Sequence, residues 1–77
     1  MTNGKYCRLR HAITKDEVQL AEDCVDGVHM IRHFYASARN GLFHEITQQP
    51  CWNEETFELI WNDTIKAYQG KDWEVIQ

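Results

Sequence analysis

The chain has 77 residues, of which 43% are apolar and 26% charged, and a formal net charge of −4. A core of this length is marginal and too small to enclose a large, walled pocket, so composition argues against an enzyme and for a single small domain, 1–77. No run approaches the roughly 18 apolar residues of a membrane span. Three cysteines, Cys7, Cys24 and Cys51, form an odd, unpaired set that does not suit a disulfide scaffold.

The start, Met-Thr-Asn-Gly-Lys, has no apolar run behind it and reads as lacking a secretory signal. With the cysteines it predicts a reduced, cytoplasmic protein. The charge is unevenly placed. Residues 1–15 carry Lys5, Arg8, Arg10 and Lys15 and no acid, whereas residues 16–77 carry four basic and twelve acidic residues. A basic arm therefore precedes an acidic body.

Residues 5–13 read as a short strand, with Cys7, Leu9, His11 and Ile13 on one face and Tyr6, Arg8 and Arg10 on the other. Arg8 and Arg10 suit a solvated or charge-protected strand face. A phosphate-contacting arm is the sharper alternative.

The next stretch, about 15–39, reads as one long amphipathic helix. Thr14 and Glu17 make a capping box, Ile13 and Val18 a hydrophobic staple, and Asn40-Gly41 a left-handed stop. Leu20, Ala21, Cys24, Val25, Val28, Ile31, Phe34, Tyr35 and Ala38 fill a wide apolar arc at helical spacing. Gly27 falls inside that arc and implies close approach of a neighbouring backbone. On the polar side Glu22, Asp26, His29 and His33 form a stripe at spacings that share a helix face. The plainer reading is a solvated face; a metal site, a pH-sensitive face or a partner-binding face is the alternative.

Residues 41–52 read as a connector with a short helical turn from Leu42, Phe43 and Ile46, broken by Gln48, Gln49 and Pro50. A second helix follows over about 54–69. Asn53 is its N-cap, Glu54 and Glu55 suit its first turn, Trp52 and Phe57 repeat the staple, and Gly70 closes it. Leu59 points away from its apolar arc. The tail either pairs Trp73, Val75 and Ile76 with residues 6–11 as a small two-stranded sheet, or inserts Trp73 into a partner.

The fold expected is thus mainly α, a compact two-to-three-helix domain. Its expected core is Ala21, Cys24, Val28, Ile31, Tyr35, Phe57, Ile60, Trp61 and Tyr68. No phosphate loop, CxxC pair, HExxH or serine-elbow motif occurs in the sequence. The reading is a small cytosolic, non-enzymatic regulator, inhibitor or adaptor, working without cofactor or metal through a protein partner, or as a homodimer that enlarges its core. Glu22, Asp26, His29, His33, Leu59 and Trp73 are the interaction residues. An acidic helical surface that imitates nucleic acid is one form of this reading. A nucleic-acid-binding regulator using the basic arm is the first alternative, disfavoured by the acidic body; a metal-responsive protein is the second.

Overall fold

In the computed structural model, which describes residues 4–77, strands replace the long helix. The order is β1 (Tyr6–His11), β2 (Glu17–Val25), β3 (Val28–Ala36), β4 (His44–Cys51), α1 (Glu54–Gln69) and β5 (Trp73–Val75). The strands form one antiparallel sheet in the order β4-β3-β2-β1-β5, with α1 laid on one face. The fold is mainly β, and the mainly α expectation is corrected. Met1–Asn3, on which the leaderless reading partly rests, lie outside the described residues.

The correction turns on four residues. Val25 pairs with Val28, so Asp26 and Gly27 are a two-residue hairpin loop. Their φ values are 52° and 77°. Positive φ at both central residues is what a type I′ turn requires, and its twist matches that of the strands. From this turn β2 and β3 run back together in unbroken register from Val25↔Val28 to Glu17↔Ala36.

Alternation then assigns the faces. Leu9 of β1, Val18 and Leu20 of β2, and Ile31 of β3 point toward the helix; each is 2% exposed or less. The apparent helical arc mixed residues from both faces: Ala21 and Phe34 lie on the face away from α1. Of the expected core, Ile31, Phe57 and Trp61 are buried, while Tyr35, Ile60 and Tyr68 pack partly buried against them. Ala21 and Val28 are only half-buried, and Cys24 is exposed. Cys7, Leu9, Val18, Leu20 and Cys51, none of them in the expected core, complete it.

The expected caps of the long helix have other uses. Thr14 Oγ1 accepts from the Asp16 N–H (3.3 Å) in the β1–β2 turn. Ile13 is 74% exposed, so it staples nothing onto Val18. Asn40 and Gly41 do turn the chain, with Gly41 at φ 69°, but they sit in the β3–β4 connection. The expected helical turn at Leu42–Ile46 is replaced by the start of β4. Between His33↔Thr47 and Phe34↔Glu45 that strand carries one extra residue, Ile46, as a bulge.

The second helix lies where the sequence places it. Asn53 Oδ1 accepts from the Thr56 N–H at 2.8 Å, and the Gly70 N–H donates to the Lys66 carbonyl at 3.0 Å. Gly70 itself is right-handed at φ −69°; the left-handed residue is Asp72, at φ 70°. Trp52 is 75% exposed, so it does not act as a staple over Phe57. The tail pairs with β1 as Leu9↔Val75 and His11↔Trp73, which makes it the fifth strand of the sheet instead of half of a two-stranded one.

Candidate functional site

The stripe expected on a helix is dispersed. Glu22 and His29 do meet, Oε2 to Nδ1 at 3.3 Å, but across the β2–β3 hairpin. Asp26 is at the tip of the turn. His33 is on the same face but only 8% exposed, and among the described residues its Nε2 has no hydrogen-bond partner. Burial pulls its imidazole below the ordinary pKa. Among the described residues no three His, Cys, Asp or Glu side chains gather as a metal set would. Leu59 is 62% exposed on the outer side of α1. Trp73 packs within the domain, with its ring edge-on to His11 (5.2 Å) and to Tyr68 (5.5 Å).

Several of the acids are separated or engaged within the domain. Glu22 and Asp23 are adjacent on a strand and so face opposite ways. Asp23 meets Arg32 at 3.4 Å, and Glu58 meets Lys5 at 2.6 Å. Asp16 accepts from the Ala38 N–H (2.8 Å) and the Tyr35 hydroxyl (2.7 Å), which together hold its carboxyl below the usual range.

Two arrangements remain. The first is on the sheet face that α1 leaves open. There Arg8 and Arg10, two apart on β1, close on Glu17 of β2: Arg8 Nη2 lies 2.6 Å from Oε1, and Arg10 Nη2 lies 3.1 Å from Oε2. Burial works to raise the Glu17 carboxyl, but the hydrogen bonds from both arginines outweigh it and the group is held below its ordinary value. Arg8 also sits over the Phe43 ring, 5.6 Å from its centroid. These residues, with Lys15, Ser37 and Gly41, line a cleft of about 330 Å³. Further along the same face Arg32 binds Glu45 (2.7 Å) and covers Phe34 (5.2 Å).

The second is the β4 edge of the sheet. Along β4 every residue is exposed except Cys51. Ile46 is 50% exposed, and Trp52, just beyond the strand, is 75% exposed. From Ile46 to Pro50 the strand carries no charge. The hairpin register fixes which backbone groups are free. Val25 and Val28 are the closing pair of a two-residue hairpin, so β3 bonds β2 through its even-numbered residues and β4 through His29, Ile31 and His33. Their partners Cys51, Gln49 and Thr47 face inward, and Gln48 and Pro50 face out. Pro50 is thereby tolerated, because its missing N–H falls on the solvent side.

Sequence reasoning found the basic residues of the cleft but not Glu17 as their counter-ion, since Glu17 was read as a capping residue. The Ser37–Phe43 wall gave no local signal. The missed edge had one indirect signal, the Val-Asp-Gly-Val segment that defines the hairpin beneath it. No family model, no curated protein sequence and no solved structure matches this chain.

Proposed function

We propose that this chain is a small, non-enzymatic cytoplasmic adaptor or regulator that binds an extended segment of another protein along β4. The observation that carries the reading is the character of that edge. Sheets normally protect an exposed edge with charge, proline or bulges, because unpaired N–H and C=O groups recruit other strands. Here the bulge at Ile46 and the proline at position 50 blunt the two ends. Between them Thr47, Gln48 and Gln49 are exposed and uncharged. Ile46 and Trp52 flank this window as exposed apolar groups, and such groups, tryptophan above all, anchor protein interfaces. Strand addition supplies affinity through the main chain and specificity through alternate side chains. A window this short gives a weak, reversible contact, which suits a regulator. The acidic, nucleic-acid-like surface has less support, since Glu22 and Asp23 lie on opposite faces and Asp23 and Glu58 are paired to cations.

The nucleic-acid reading has less support than the protein one. Lys5 is bound to Glu58, and Arg8 and Arg10 share Glu17. The test is a tagged pull-down from the native host with and without nuclease, run beside Gln48→Pro and Trp52→Ala. The expected result is a protein that survives nuclease, is lost with both variants, and slows hydrogen exchange at the Gln48 amide, while both variants melt like the parent. A partner retained by Gln48→Pro, or recovery of nucleic acid in its place, overturns the reading.

A further inference from the structure

We infer that the cleft on the open face binds the phosphate group of a small organic phosphate. The argument begins with charge. Arg8, Arg10 and Lys15 line the cleft and Glu17 is the one acid among its lining residues, so a local surplus of two positive charges sits on a chain whose net charge is −4. A phosphate monoester is close to a dianion above its second pKa of about 6.

Donor geometry points the same way. A guanidinium carries five N–H donors and an ammonium three. Arg8 directs Nε and Nη2 at Glu17 Oε1, and Arg10 directs Nε and Nη2 at Oε2. Among the described residues neither Nη1 has a protein partner. Lys15 gives one N–H to the Ala12 carbonyl at 2.8 Å, which anchors the ammonium and leaves two donors. Glu17 is only 18% exposed and lies between the two guanidiniums, so it orients both while offsetting one of their two charges. Fixed forks of this kind match phosphate oxygens in pairs.

Shape selects an organic phosphate over the bare ion. The volume, about 330 Å³, falls at the small end of ligand sites and exceeds what one phosphate fills. Phe43 forms an apolar wall, already stacked under Arg8, and Gly41 brings backbone without a side chain to the rim. An apolar or planar group attached to the phosphate has a surface to lie on.

The site is distinct from the β4 edge, and the variants below leave that edge untouched, so either reading can fail alone. The experiment is a titration followed by amide NMR at about pH 7.5, above the phosphate second pKa, with inorganic phosphate and with phenyl phosphate. The expected result is saturable shifts confined to the Arg8–Arg10, Lys15 and Ser37–Phe43 amides, with phenyl phosphate the tighter ligand. Arg10→Gln and Lys15→Gln, both at solvent-facing side chains, should each weaken it about tenfold or more, the loss of a charge-assisted bond. Lys5→Gln, outside the cleft, should leave binding unchanged. Shifts absent from the cleft, or affinity unaltered in both cleft variants, overturn the site. Equal affinity for the two ligands overturns the organic-phosphate assignment.

Discussion

Gly27→Ala separates the hairpin from a helix by the sign of its effect. In the interior of a helix, replacing glycine with alanine gains about 1 kcal/mol. In this protein Gly27 is at φ 77°, in the left-handed region. A Cβ there meets no atom within 4 Å, so tertiary crowding contributes nothing and the cost is that of the backbone alone. Placing an L-residue in that region costs about 1–2 kcal/mol. The reduced freedom of the unfolded alanine chain returns about 0.4–1 kcal/mol. The net is a loss of roughly 1 kcal/mol, a fall in Tm of about 4–8 °C for a domain of this size. Thermal and urea melts followed by circular dichroism measure it, with an unchanged urea slope showing that the denatured state is the same. A Gly27→Ala protein as stable as the parent, or more stable, refutes the Asp26-Gly27 turn and with it the β2–β3 pairing.

Two further outcomes follow from burial. Ile31 is fully buried on the helix-facing side of β3, so Ile31→Ala should cost about 2–5 kcal/mol and leave little folded protein; a melt like that of the parent would remove Ile31 from the core. His33 is buried without a partner for Nε2 among the described residues, and burial depresses its pKa, so the folded state resists a proton that the unfolded chain accepts. This stability is present above the unfolded value of about 6.5 and is lost as the pH falls from there toward the folded pKa. Urea midpoints should therefore drop on acidification in that window, and the slope should vanish in His33→Gln; an equal slope in the variant would assign the effect to another group.

The elements legible in the sequence are those specified by neighbours in the chain. The Asn53 cap, the Glu54-Glu55 first turn and Gly70 define α1 without reference to anything distant. Strand β1 shows its alternation because Cys7 and Leu9 are buried while Arg8 and Arg10 face the open side. The β2–β3 hairpin was misread because its two faces are not cleanly apolar and polar. Glu22, His29 and His33 interrupt the buried face, and Ala21, Met30 and Phe34 give apolar weight to the other. Sampled at helical spacing, the two faces together imitate one stripe. The local evidence against a helix was Asp-Gly between valines, a turn pair that outranks a glycine excused as a packing site. Strand β4 had no pattern to read, since only Cys51 among its residues is buried. The cleft was half visible. Its cations stand out as charge, but Glu17 and the Ser37–Phe43 wall reach them only through the hairpin.

The distribution of charge over the open face decides what kind of anion the molecule can hold. A nucleic-acid strand engages a row of cations, because each phosphate along it contributes to affinity. The three arginines on this face form no such row. Arg32 is matched by Glu45 and Asp23, and hydrogen bonding to Arg32 holds the Glu45 carboxyl below its ordinary value. Arg10 faces Glu74 across the β1–β5 pair as well as Glu17. The surplus of positive charge is therefore confined to the end of the face where Lys15 joins Arg8 and Arg10, a span of one small cleft. Beyond a Debye length of about 8 Å at physiological salt that surplus is screened. A compact anion can take all of the available charge at that point, whereas a polymer would have to lay the rest of its backbone across Glu45, Asp23 and Glu74. The same argument separates the two surfaces of the domain: charge acts in the cleft, and along the neutral edge of β4 main-chain pairing and the exposed Ile46 and Trp52 act in its place.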